Sequence, residues 1–190
     1  MSDRDQFSPD TGDYLSTYRC ILERMIEGMT QARLGNSISG NFIVQMIPHH
    51  RAAVEMSENL LRYSCFQPLV RIAKNIIRTQ TQGIEEMERI LCGCRAKTNC
   101  PNLVCRYQDN MDCILQTMFE EMKHAETTNC INVDFMREMI PQHRGAVRMA
   151  KAALEYDICR ALIPILEAII KEQEEGIRQM EHLLRCECDG

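Results

Sequence analysis

Tryptophan is absent and aromatic residues make up only 5% of this 190-residue chain. Glycine and proline are scarce as well, at 9 and 6 residues, which excludes collagen-like repetition. No uncharged apolar run approaches the ~18 residues that a membrane-spanning helix needs, so no membrane partner is expected. There is no basic tract and the formal net charge is −5, which argues against a nucleic-acid binder. The first ten residues, Met1 to Asp10, hold no apolar segment of the kind a secretory signal carries, so a cytoplasmic protein is the expectation. With 45% apolar and 26% charged residues, the chain is too apolar for disorder and fits a single domain over residues 1–190.

Sulfur stands in excess, with 13 methionines and 11 cysteines. In a reducing compartment those cysteines are thiols, and clustered thiols point to metal binding or redox chemistry. Their odd number leaves at least one unpaired within the chain even after oxidation.

The chain repeats itself. Residues 18–91 laid over 111–184, at a constant shift of 93 without gaps, give 30 identities in 74 positions. The densest match sets Phe42 to Met56 against Phe135 to Met149 and includes Met46-Ile47-Pro48-His49-His50-Arg51 against Met139-Ile140-Pro141-Gln142-His143-Arg144. A second stretch matches Gln80, Gly83, Met87 and Glu88 to Gln173, Gly176, Met180 and Glu181. The repeat units run over 14–94 and 107–188. What both units keep is what the shared design uses.

Each unit reads as three helices, because apolar residues recur at three- and four-residue spacing and no stretch alternates as a strand would. The first helix is expected from Tyr14 to Leu34, and the second from a cap at Ser39 or Asn41 to about Tyr63, with Asn132 or Asp134 as the matching cap. The third opens at Pro68 and runs to about Leu91. Residues 92–110, with Cys92, Cys94, Cys100 and Cys105, form a connector. The fold class is all-α: two helical hairpins forming a four-helix bundle, with an extra helix before each hairpin.

At 100° per residue, with Met46 at zero, His50 lies at about +40°, His49 at about −60° and Met56 at about −80°. His50 and Met56 stand at opposite edges of that stripe and meet on one ion only with help from another helix. On the third helix Gln80, Ile84, Met87 and Leu91 fall within about 60° of one another. Methionine is a flexible core filler, and a helical stripe of it is often packing. Yet Met25, Met29, Met46, Met56 and Met87 all recur, as Met118, Met122, Met139, Met149 and Met180. Both readings, thioether ligand and core filler, stand. His50 and His143 are the repeat-matched histidines, while His49 faces Gln142, so a site built on His49 exists once or is unequal between the units. His124 and His182 have no counterparts and are assigned to the surface. Pro48 and Pro141 remove a helix hydrogen bond where the histidine emerges. Gly83 and Gly176 cost about 1 kcal/mol each in mid-helix, which suggests a close approach by a neighbour. Arg51 and Arg144 are candidates to pair with Glu27, Glu120, Glu88 and Glu181.

Cys92-x-Cys94 and Cys186-x-Cys188 end the two units as thiol pairs, able to chelate soft Cu(I) or Zn(II). Alternatively, Cys20 and Cys113 lie near those ends as staples.

The stretch Phe42-x3-Met46-Ile47-Pro48-His49-His50-x2-Ala53-Val54-x-Met56, with Gln80-x6-Met87 on the next helix, resembles the bacterial family catalogued as domain of unknown function 305, and both halves match. The resemblance implies a ferritin-like four-helix bundle and copper binding through Met and His. The candidate ligands it implies are Met46, His49, His50, Met56, Met139, His143 and Met149, to which the helix faces add Met87 and Met180. The chain departs from the family in having no visible signal, many cysteines and Gln142 in place of a histidine.

Three functions follow. The first is a non-catalytic soft-metal binding or buffering protein, with a copper ion as cofactor or partner and zinc or another soft metal as the alternative. The second is a di-iron oxidase, which needs Glu on two helices and Glu-x-x-His on two more; Glu121-x-x-His124 appears once, opposite Gly28 and Gln31, so the ligand set of this reading is incomplete. The third is a cysteine-rich structural or coat-assembly protein without a metal site, compatible with a homo-oligomer. No enzyme is expected.

Overall fold

The computed structural model describes residues 7–188 of the chain. Among these residues six helices follow one another: α1 (Pro9–Thr30), α2 (Ile38–Leu61), α3 (Gln67–Ala96), α4 (Pro101–Lys123), α5 (Ile131–Leu154) and α6 (Ile163–Cys188). No strand occurs among the described residues, so the fold is an all-α helical bundle. The two central helices are 24 residues long, and both of their ends differ by the repeat shift of 93.

The helix starts differ from expectation for identifiable reasons. α1 begins five residues before Tyr14, because Ser8 accepts the Thr11 N–H at 3.2 Å and Pro9 fills the first turn. α2 is capped by Ser37, whose hydroxyl accepts the Gly40 N–H at 3.1 Å, not by Ser39 or Asn41. The Asn41 side chain instead accepts from Gly35 N–H at 2.7 Å and donates to Gly35 O at 3.0 Å, tying down the preceding loop. Asp134 does the equivalent in the second unit, accepting the Thr128 N–H at 2.7 Å, and Cys130 stands at the cap position in place of Asn132 or Asp134. α3 opens on Gln67-Pro68 as expected but runs on to Ala96. The connector therefore shrinks to residues 97–100: Cys92 and Cys94 lie in α3 and Cys105 in α4.

α2 packs on α1 and α3, and α5 packs on α4 and α6. The two units meet through α2 against α5 and α3 against α6, so these four helices close a ring of contacts with α1 and α4 outside it. A single apolar cluster joins all six helices, and each fully buried Met, Leu, Ile or Phe in it contributes roughly 1.5–3 kcal/mol. Matched details recur in both units. Tyr14 meets Tyr63 edge-on at 6.2 Å between ring centres, and Tyr107 meets Tyr156 at 5.5 Å. Arg51 pairs with Glu88 at 2.8 Å and Arg144 with Glu181 at 2.7 Å, leaving Glu27 and Glu120 out of these pairs. The paired side chains are roughly half exposed, so each bridge contributes little.

Candidate functional site

α2 and α5 carry Pro48-His49-His50 and Pro141-Gln142-His143 to the seam between the two units, and both helices continue through their prolines. His49, His50, Gln142 and His143 are all buried, at 0–2% exposure. An imidazolium there would sit in a medium that solvates it poorly. Burial accordingly lowers His49 to about 4, against a smaller opposing effect from its bond to the Gln142 carbonyl. Burial lowers His143 to about 3, helped by His49. His50 is pushed well down by burial, then by His49 and His143. All three imidazoles are neutral near pH 7.

Their proton positions follow from the partners. The Gln142 side-chain N–H2 donates to the His49 carbonyl at 3.2 Å, and a carbonyl can only accept, so the amide orientation is fixed. The same N–H2 donates to His49 Nδ1 at 3.1 Å, which must be the unprotonated nitrogen. His49 therefore carries its proton on Nε2 and donates it to the Gln142 carbonyl at 3.1 Å. Gln142 Oε1, the other end of the amide, accepts from His143 Nδ1 at 2.8 Å. A neutral His143 protonated at Nδ1 keeps the lone pair of Nε2 free. The repeat-mates His49 and Gln142 thus bond to each other across the seam. Both nitrogens of His49 are occupied, while His50 Nδ1 is buried with no hydrogen-bond partner among the described residues.

The two matched histidines each lie against a matched glycine. A Cβ at Gly83 would stand 3.3 Å from His50 Cδ2 and 3.4 Å from its Nε2; one at Gly176 would stand 2.9 and 3.0 Å from the same atoms of His143. The close approach suggested by these mid-helix glycines is made by the imidazole edge. Beside Gly176, a cleft of about 170 Å³ between α3 and α6 is lined by His143, Gln80 and Gln173, among others. Gln80 and Gln173 are repeat-mates, each 3% exposed, and the Oε1 of each is buried without a donor among the described residues.

Met46, Met56, Met87, Met139, Met149 and Met180 are buried at 0–2% and belong to the one apolar cluster. None of them lines the cleft beside His143. Met46 and His50 are four residues apart on α2, as are Met139 and His143 on α5, which makes each pair neighbours on one helix face. Met87 and Met180 stand one turn beyond the glycines on which the imidazoles rest. Met56 and Met149 lie about 120° round the helix from the matched histidines. Among the described residues no three His, Cys, Asp or Glu side chains come together as a metal-holding group.

The cysteines do not follow expectation. Cys92 is exposed and Cys94 buried, since residues two apart on a continuous helix face opposite ways. Cys186 is exposed, and the Cys188 side chain lies outside the described residues. Cys20 and Cys113 are exposed thiols in mid-helix, because α1 and α4 begin earlier than expected, and among the described residues they form no disulfide. His124 and His182 are exposed.

One further buried polar contact gives no sequence signal by spacing. Tyr14 donates its hydroxyl proton to Glu138 Oε2 at 2.6 Å across the two units. Burial holds the Glu138 carboxyl well above its usual range; the Tyr14 bond opposes this and Asp134 adds to it.

An all-helical bundle with a buried His–Gln seam, a proline in each central helix and methionines one turn from each matched imidazole defines the class of protein. The family model described as Domain of unknown function (DUF305) matches residues 21–91 and 39–184, and the chain belongs to that family. No curated protein and no solved structure matches the chain. No described helix is long and apolar enough to cross a membrane.

Proposed function

We propose that the protein binds a soft metal ion, Cu(I) foremost, without catalysing a reaction, and that the matched histidines are its nitrogen donors. The observation that carries this reading is the proton arrangement at His143. Gln142 holds the proton on Nδ1 and burial keeps the ring neutral, so the Nε2 lone pair is available to an acceptor of electron pairs. Two glutamine oxygens and His50 Nδ1, buried and lacking donors, support a centre that gains partners when a cation enters. The donor set is imidazole and thioether rather than carboxylate, which suits Cu(I) over hard cations. The half-sites are His50 with Met46 and Met87, and His143 with Met139 and Met180. His49 is a positioning residue here, since it holds Gln142 and has no lone pair to give.

The test is a Cu(I) titration against a chromophoric competitor, using protein whose accessible thiols have been alkylated under native conditions. Binding should persist after alkylation, and His50→Gln with His143→Gln should weaken it at least about tenfold, on the scale of one lost ligand or its orienting partner. Loss of all binding on alkylation, or affinity indifferent to both histidines, contradicts the proposal.

A second reading rests on a different observation. Cys20, Cys65, Cys92, Cys100, Cys105, Cys113 and Cys186 are exposed thiols, which suits a cross-linked structural or coat-assembly component. Non-reducing gels after mild oxidation should then show a ladder of homo-oligomers that reductant collapses, with no metal bound in stoichiometric amount.

A further inference from the structure

Of the ten cysteines whose side chains are described, seven are exposed; Cys94, Cys130 and Cys159 are not, and Cys94 and Cys159 are neighbours. Cys94 closes α3 in the first unit and is fully buried; Cys159 lies in the α5–α6 connection of the second unit and is half-buried. Burial, and then the neighbouring Cys159 thiol, hold the Cys94 thiol above its usual range. The two cysteines are not repeat-mates, so their nearness is not imposed by the duplicated pattern. The backbone at each is anchored to the same turn of α2: the Ser37 hydroxyl donates to Cys94 O at 2.8 Å, and Cys159 N–H donates to the Ser39 hydroxyl at 2.8 Å. Asn99 strengthens the junction, taking the Ile38 N–H on its Oδ1 at 3.0 Å and donating to Asp157 O at 2.8 Å. Lys97 pairs with Asp157 at 2.6 Å. Two neighbouring thiols, on backbones tied to one turn of α2, are placed for a bridge.

We propose that Cys94 and Cys159 form a reversible disulfide that locks the end of α3 to the α5–α6 connection, joining the two units covalently. The co-reactant is the disulfide of a small monothiol, such as glutathione disulfide. Cys159, the more accessible sulfur, attacks it as thiolate, forming a mixed disulfide and releasing one small thiol. Cys94 then loses its proton and attacks the Cys159 sulfur, expelling the second small thiol. Two protein thiols become one disulfide, two electrons pass to the oxidant, and two small thiols leave. The second step is the slow one, because burial holds the Cys94 thiol up. The closed form is stabilised chiefly because the unfolded chain loses freedom over the intervening segment.

The experiment takes reduced full-length protein, equilibrates it in glutathione buffers of increasing oxidised fraction, traps free thiols with an alkylating agent under denaturing conditions, and maps peptides by mass spectrometry. A Cys94–Cys159 linked peptide should be the first intramolecular disulfide to appear as the buffer grows more oxidising. Its formation should raise the thermal midpoint by about 5–15 °C, and Cys159→Ser should abolish that rise while leaving the reduced protein's midpoint close to wild type. Cys94 recovered alkylated while other pairs oxidise, or Cys94 linked to a different cysteine, overturns the proposal. The wild-type map decides the matter even where a variant fails to fold.

Discussion

Adding one methyl group at position 176 presses directly on the His143 ring. Alanine is favoured over glycine in a helix interior by roughly 0.8–1 kcal/mol. Against that gain, the new Cβ would stand 2.9 Å from His143 Cδ2 and 3.0 Å from Nε2. The ring must move, yet it is fully buried and its Nδ1–H is bonded to Gln142 at 2.8 Å. Overpacking of this kind costs about 1–3 kcal/mol, so Gly176→Ala should be destabilised by about 1–2 kcal/mol net. The repeat-mate provides the control. A Cβ at Gly83 meets His50 at 3.3 and 3.4 Å, and His50 Nδ1 holds no partner that a small shift would break. The helix gain then offsets the crowding, and Gly83→Ala should fall within about 0.5 kcal/mol of wild type. Urea unfolding of metal-free protein at neutral pH, followed by helical circular dichroism, measures both. Equal stability of the two variants, or a more stable Gly176→Ala, would refute the inference that Gln142 pins His143.

Acid should destabilise the metal-free protein. Burial keeps His49 near 4 and His143 near 3, below the ~6.5 of an unfolded histidine, so the unfolded chain takes up protons first and stability falls as pH drops through 6.5 towards 4. These two groups together should contribute about 4 kcal/mol to the loss between pH 7.5 and 5 in urea titrations, His50 adds to it in the same sense, and His49→Gln should remove about 2 kcal/mol of it. Glu138 acts in the opposite sense: its raised carboxyl favours the folded state below the unfolded value and loses that contribution as pH rises, so Glu138→Gln should steepen the acid loss. Tyr14→Phe leaves Glu138 Oε2 buried without its donor and should cost about 1–3 kcal/mol by urea unfolding. Arg144→Ala and Arg51→Ala break half-exposed ion pairs and should each change stability by no more than about 1 kcal/mol, less in high salt.

Much of the frame was readable from spacing. The three- and four-residue periodicity located every helix, and the constant shift of 93 foretold that α2 and α5 would have matching ends. The caps were misplaced because Asn41 and Asp134 have the chemistry of a cap but spend it on the loop six residues back, a choice that only the chain's path decides. Gly83 and Gly176 signalled a close neighbour, and the structure supplies its identity as an imidazole edge. Gln142 read as a lost ligand; comparing repeats shows that it replaces His49 but not that the two touch. The nearness of Cys159 to Cys94 was invisible, because the two occupy unrelated positions in the two units and the Cys-x-Cys spacing drew attention to Cys92, which the continuous helix turns away from Cys94.

Histidine side-chain ¹⁵N NMR reads the proton arrangement and the metal response together. In the metal-free protein His49 should report a proton on Nε2 and His143 one on Nδ1. On adding Cu(I) to thiol-blocked protein, the His143 Nε2 and His50 ring signals should move to ligated values while His49 stays where it was. Bound metal with unmoved His50 and His143, or a shift confined to His49, would contradict the account.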